Sequence, residues 1–462
     1  MLIGDGILDL NASSASSAHP EWWGARSDGT GDSGPALIAC LAAHPVMQLA
    51  HGDYAIATSW RISRPFCRIE GAGFRGTSRG QGTRIVVTNG HDDVLRVGTD
   101  EAPSHVNDFI QNISIRGIAL DRSAKVEGGA AGLRAQFLLY AEFEEISAAE
   151  HATSFVCLGL VRTRMRNCVA FRSLPGTQRS DWRGFYLDGM HSIGLAGGNA
   201  SLFLEDCNVS IGGNPEVTDP VGLLLDGAFA DSFIIDFETA GVDTGIRIDG
   251  RADELGRRAK SGHANLHIRM PIIDQCSEAG LDLRNCSRSA LIDVSEPYVA
   301  LSPTGKAALR LQNMSGSLTV AGGQFLGGMN NAAGGRGVGI HARNSAGLAT
   351  SGLRVQDMAY PVRLESCSLC DLRLQIRNDQ QPSKGPAMAI EGCSNTLCSP
   401  LIGGRDNAFP AAVEITKARG SHAIELTGID AQALSSAGVK LLIDAKPANA
   451  PGRYGVVTAN GI

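Results

Sequence analysis

The sequence predicts an all-β solenoid, a single-stranded parallel β-helix, and three observations carry that expectation. A short phrase recurs through the second half of the chain, the phrase alternates with a period of two, and glycine is in excess. The phrase is clearest at Gly280-Leu281-Asp282-Leu283-Arg284-Asn285-Cys286: a small residue, apolar, variable, apolar, two polar residues, then Cys or another small residue. Its starts are Gly222, Gly245, Gly280, Ala308, Gly339, Pro361, Ala387, Ala412 and Gly438, in steps of 23, 35, 28, 31, 22, 26, 25 and 26 residues. Apolar side chains two apart are a strand signal. One such strand cannot bury its inner face alone, but strands recurring every twenty-odd residues can, if each repeat is one turn stacked on the last. Rungs then lie about 4.8 Å apart, and steps of 31 and 35 imply loops bulging from a turn. Glycine is 57 of 462 residues, above the usual roughly 7%, as tight corners require.

The elements follow in chain order. Residues 1–20 are polar and Ser/Ala-rich and read as a linker or attachment segment. Residues 21–60 read as a cap. Ser33 or Gly34 caps a helix over 36–43 with Pro35 at its first position. Leu37, Ile38 and Leu41 are its expected buried side. A strand, a Gly turn and a second strand follow over 47–56. Residues 61–445 form the solenoid, irregular up to 103 and regular from Ile113. Polar stretches at 173–191, 251–263 and 327–337 interrupt it as insertions. Residues 446–462 leave it as a short tail.

The whole chain narrows the function classes. The formal net charge is −6 and charged residues are 19%, so no basic nucleic-acid surface is expected. The first residues lack the basic region and long apolar core of a signal peptide, and no run of eighteen apolar residues predicts a membrane span. The eleven Cys are scattered. Cys286, Cys367 and Cys393 occupy the same place in the phrase and read as small residues stacked at an inner corner, not as a disulfide framework. Cys367 and Cys370 have no second pair at zinc-ligand spacing, and no metal or cofactor is expected.

The opening of the chain carries a resemblance. Trp23-Gly24-Ala25, Asp28-Gly29, Asp32-Ser33, the short helix and Gly52-Asp53-Tyr54 resemble the N-terminal pattern of the pectate-lyase-like right-handed β-helix superfamily, in which the helix caps the open end of the solenoid. Without an export signal, this opening most resembles bacteriophage tailspikes. The resemblance implies a homotrimer that binds and depolymerises a bacterial surface polysaccharide, a capsule or an O-antigen. It also implies an N-terminus joined to other tail proteins, and residence in the virion after synthesis in the host cytoplasm. The Asn-Thr-Asp, Asp-Asp, Gly-His-Gly and Arg-Ile-Lys pattern of polygalacturonases and the Asp-Pro-His-Glu motif of mannuronan epimerases are both absent. The resemblance therefore brings a fold without a mechanism.

Chemistry is sought where carboxylates align. Glycosidic bonds are usually cut by two of them, and adjacent or alternate rungs supply the short or the long separation. Asp188, Asp226 and Asp249 each lie four residues after the first residue of their phrase, and Glu205 has the same phase. These four are the expected catalytic acids. Each of the three Asp also precedes Gly, which is turn chemistry, so a corner role stands beside the catalytic one. Asp181, Trp182 and Arg183, with His191 close by, suit sugar stacking and hydroxyl recognition if the Trp is exposed. Asp236 and Glu238 flank Phe237 and are expected to face outward together. Asp293 and Glu296 form a third candidate pair. A hydrolase is the leading expectation; a lyase of the same fold and a non-catalytic glycan-binding spike are the alternatives.

Overall fold

The computed structural model describes residues 16–74, 82–172, 181–189, 199–212, 219–227, 229–250, 264–327, 337–380, 382–417, 419, 422–426, 428–435, 441–443 and 454–457. Most of the three expected insertions lies outside these residues. The chain forms two compact units, Met1–Gln178 and Arg179–Ile462, and each is built as a right-handed parallel β-helix.

In the first unit a cap covers the initial coil. A short 3₁₀ turn, Pro20–Trp23, ends at Gly24 with φ +93°, a conformation glycine adopts without strain. The α-helix spans Gly34–Ala43 with Pro35 in its first turn, where a missing N–H costs nothing. Its N-terminal donor at Gly34 is satisfied by Asp32 Oδ1 at 2.9 Å rather than by Ser33. Leu37, Cys40 and Leu41 are buried, but Ile38 is 53% exposed, against expectation: a ten-residue helix lying on a coil buries only one narrow stripe. The guanidinium of Arg64 donates to the carbonyls of Leu41 and Ala42, which closes the last turn. Ala18 already pairs with the next coil, through Ala18 N to Val46 O and Gln48 N to Ala18 O, both 2.9 Å. The strands Val46–Gln48, Gly52–Ile56 and Trp60–Ile62 pair in parallel with Cys67–Glu70, Thr83–Val87 and Leu95–Gly98. A Cβ at Gly52 would lie 2.1 Å from Ser27 O, so only glycine fits that turn.

In the second unit three parallel sheets run around each coil. The recurring phrase is the first sheet. Leu223, Ile246, Leu281, Leu309, Ile340, Val362, Met388 and Val413 stand in one register column. Leu225, Ile248, Leu283, Leu311, Ala342, Leu364, Ile390 and Ile415 stand in the next. All sixteen are buried, so each rung adds two side chains to one continuous core. The small residue opening each phrase has a steric cause. A Cβ at Gly222 would lie 2.5 Å from Thr239, and one at Gly280 2.3 Å from Val299, both on inward positions of the third sheet. The last repeat departs from the expected register. Leu441, not Val439, pairs with Val413.

Corners repeat as well. After the first sheet the chain turns through a residue with positive φ: Asn285 (55°), Asn313 (55°), Asn344 (49°) and Ser366 (53°). Asn tolerates this region better than most side chains. A buried Cys follows at Cys286 and Cys367, its Sγ 3.5 and 3.3 Å from the carbonyl two residues earlier. All eleven cysteines are buried. Burial pushes the Cys276, Cys286 and Cys370 thiols up to about 12, so they are inert packing groups.

Candidate functional site

The outward positions of the first sheet carry the aligned acids. Asp188 pairs in register with Asp226, and Asp226 with Asp249. The three carboxylates therefore rise on consecutive rungs, about 4.8 Å apart, each at the end of its strand and just before the corner. Asp226 is 7% exposed; Asp188 and Asp249 are half-buried. The Tyr186 hydroxyl lies 3.1 Å from Asp188 Oδ2 and 3.3 Å from Asp226 Oδ2. Two carboxylates of neighbouring rungs thus converge on one phenol. Asp249 accepts instead from Asn285 Nδ2 at 3.1 Å, a bond that belongs to the corner. Asp249 is thus bonded to a corner residue, whereas Asp188 and Asp226 share Tyr186 as a partner.

The next outward column is ionic. It runs Tyr186, Leu224, Arg247, Asp282, Arg310, His341 and Arg363. Asp282 is completely buried although its strand position faces outward, because three guanidiniums close over it. Arg247 lies 3.1 Å away, Arg284 2.7 Å and Arg310 2.8 Å. Burial pushes the Asp282 carboxyl up, but the hydrogen bonds from Arg310 and Arg284 outweigh it and hold the group below the ordinary aspartate range. Arg247 also bridges to Asp219 at 3.1 Å, which Arg183 approaches at 3.7 Å. Glu278 serves Lys306 and Arg310.

Several sequence expectations change position. Glu205 does not join the acid column. It lies on the second sheet, opposite Ile235, because a Leu-x-Leu phrase occurs on more than one side of each coil and phase alone does not say which. Trp182 is fully buried, with its indole N–H unpartnered, so it is a core residue and offers no face to a sugar. Arg183, which opens the strand Arg183–Asp188, donates to the carbonyls of Trp182 (2.9 Å) and Asp219 (2.7 Å). Asp181 is half-buried in the bend before it. His191 lies outside the described residues. Asp236 and Glu238 are both exposed and flank buried Phe237, but Asp236 has φ +52° and turns the corner between the second and third sheets. Glu296 has φ +51° at the equivalent corner.

The second sheet holds a group the sequence reading missed. Phe203 stacks on Phe233 with centroids 5.3 Å apart and planes at 6°, and Phe233 stacks on His267 at 4.9 Å and 13°. Asp293 continues the column, its Oδ2 3.6 Å from His267 Nδ1. All three rings are half-buried on outward positions. The signal was present: in Leu202-Phe203-Leu204, Ser232-Phe233-Ile234 and Leu266-His267-Ile268 the ring sits between inward residues. Aligning those triplets would have found the stack.

No protein-family model matches the chain, and no curated protein matches it by sequence. Solved structures do. The chain is similar to the tailspike of E. coli bacteriophage HK620, a mutant of which was solved in complex with a pentasaccharide: TM-score 0.65, 11% identity, covering 91% of this chain and 76% of that one. It is similar to tailspike protein 3 of bacteriophage CBA120, with TM-score 0.55 and 13% identity over 96% of this chain and 61% of that one. The N-terminal fragment of bacteriophage phi29 gene product 12 gives TM-score 0.60 and 13% identity over 92% and 71%. The class defined by the coils, the cap and these neighbours is the right-handed parallel β-helix. Within that class the chain shares the fold of bacteriophage tailspikes.

Proposed function

We propose that this protein is a phage tailspike that binds a bacterial surface polysaccharide and cuts it by hydrolysis on the outward face of the first sheet. The observation that carries the reading is the convergence of Asp188 and Asp226 on the Tyr186 hydroxyl. Acid and base work on a glycosidic bond needs two carboxyl groups within reach of one bond. Adjacent rungs hold them near the roughly 5 Å separation of retaining enzymes, while Asp188 and Asp249, two rungs apart, fit the inverting range. In this reading Asp226, the more buried acid, is the proton donor, and Asp188 is the nucleophile or base. The pentasaccharide bound by the HK620 tailspike mutant supports a glycan as ligand. A homotrimer, attachment to other tail proteins through residues 1–20, a solenoid over 61–445 and a tail over 446–462 complete the proposal.

The test is incubation with a panel of capsule and lipopolysaccharide preparations, read by product size and mass. Hydrolysis adds one water per cut; products lacking it would identify a lyase. Shortening that Asp226→Asn and Asp188→Asn leave at the wild-type rate would remove this face from the chemistry.

A further inference from the structure

The first unit buries a cationic knot that takes no part in the chemistry proposed above. His151 is completely buried just after the strand Glu142–Ala149, and both of its ring nitrogens are engaged. Nε2 lies 3.0 Å from Leu120 O, and Arg122 Nε donates to Nδ1 at 3.4 Å. A guanidinium can only donate, so Nδ1 is the bare nitrogen and Nε2 carries the proton given to Leu120. The imidazole is therefore neutral. The other arms of Arg122 donate to the carbonyls of Asn89 and Asp92, both at 2.7 Å. The guanidinium thus ties residues 88–94 to the coil, and His151 holds the guanidinium.

A proton on Nδ1 would find no compensating charge. Arg172, itself buried, donates to His151 O at 3.3 Å. The carboxylates around the ring are taken by other groups. Asp93 serves Arg134 at 2.6 Å and Arg96 at 3.3 Å, Asp121 pairs with Arg84, and Asp92 accepts from Asn89 Nδ2 at 2.8 Å. Glu150 turns the corner before His151 with φ +63°. Among the described residues no carboxylate comes within ion-pair distance of Arg122. An imidazolium would set a second cation 3.4 Å from a guanidinium that has lost its acceptor, in an interior that disfavours charge. Burial, with the charge of Arg122, pushes the imidazole down to about 4.

We propose that His151 and Arg122 form an acid-released latch in the first unit, in which protonation of the imidazole ejects the guanidinium and frees residues 88–94. Arg122 is 8% exposed, so the ejected group has a short way to water. The folded imidazole titrates below the ordinary histidine value of 6.5, and an opened segment therefore takes up the proton first. The latch holds fully above pH about 6.5 and loosens as pH falls toward about 4, by up to about tenfold in the opening constant per pH unit. His91, on the same segment and 3.9 Å from Glu127, acts with the opposite sign, because its protonation draws the segment toward a carboxylate.

Hydrogen exchange of the intact protein, read by mass spectrometry at about pH 7 and about pH 5, is the experiment. The amides of Thr88, His91, Asp92 and Val94 are hydrogen-bonded, so opening exposes them. His151→Gln keeps an acceptor for Arg122 and a donor for Leu120 without a titrating group. The expected result is equal protection of residues 88–94 in wild type and His151→Gln at the higher pH. At the lower pH the wild type exchanges at least about tenfold faster than the variant. Comparison at one pH cancels the intrinsic exchange rate and the contribution of His91. Arg122→Gln should leave the segment open at both pH values. Equal protection of wild type and His151→Gln at the lower pH, or a segment still protected at the higher pH in Arg122→Gln, overturns the proposal. Should neither variant fold, the wild type decides. Relative to the strand Ile272–Cys276, residues 88–94 must lose protection on acidification, and unchanged relative protection overturns the latch.

Discussion

The first and second sheets of the 179–462 unit share one backbone and one period, yet they present opposite chemistry. The outward face of the first carries Asp188 and Asp226 on Tyr186, then a run of guanidiniums around Asp282. The second carries stacked Phe203, Phe233 and His267, with Glu205 and Asp293 beside them. The inward residues are interchangeable aliphatics on both, because they do the same work of filling the core. In a parallel solenoid the fold leaves the outward residue free, and whatever stands there is repeated every rung and so sums along the axis. Around Asp282 the column alternates in sign, Arg247, Asp282, Arg310, which turns repulsion at that spacing into attraction, whereas flat rings gain by stacking.

Substitutions can break this comparison, and the largest effect is expected on catalysis. Asp226→Asn should lower polysaccharide cleavage by orders of magnitude with the thermal melt unchanged, while Glu205→Gln on the aromatic face should leave turnover within a factor of about two. The reverse pattern, measured as reducing ends released per minute, would move the chemistry to the second sheet.

Next comes the clamp. Removing the charge at Asp282 takes the carboxylate from Arg284 and one of two from Arg247 and Arg310, and Asp282→Asn should cost about 3 kcal/mol by denaturant unfolding. The pH dependence has a defined sign. The folded pKa of Asp282 is lowered, so its contribution is complete above pH about 4 and is lost as pH falls through the depressed value. The variant should lose less stability than the wild type on acidification below that point; an identical acid profile would mean that Asp282 does not supply the linkage.

A smaller effect sharpens the aromatic side. Phe233 touches a ring on each side, and Phe233→Ala should cost about 1–2 kcal/mol with cleavage retained. Loss of glycan affinity at full stability would show instead that the stack is a binding platform. Trp182→Phe should cost less again, because it removes an indole N–H that has no partner and keeps an aromatic ring in the core.

These faces also mark how far the sequence could be read. The solenoid was legible because Gly222, Gly245 and Gly280, with the Leu or Ile pairs after them, answer to a steric and hydrophobic demand that every rung repeats. The acid column was legible for the same reason, since Asp188, Asp226 and Asp249 keep step with that demand. Glu205 was misplaced because a coil has three sides and alternation looks alike on all of them. Trp182 was misread because its setting in Asp181-Trp182-Arg183 is polar in sequence, while its side chain points inward. Asp282 carries no sign in the sequence that three arginines, from three rungs, would close over it; such contacts depend on register between segments 28 and 35 residues apart.

The central claim is that two carboxylates on adjacent rungs cut a glycan. The most direct measurement is the product analysis of one susceptible polysaccharide with the wild type and the Asp188→Asn, Asp226→Asn double variant side by side. The account predicts shortened chains bearing one added water per cut from the wild type and undigested polymer, still bound, from the variant. Chains shortened equally by both proteins would contradict it.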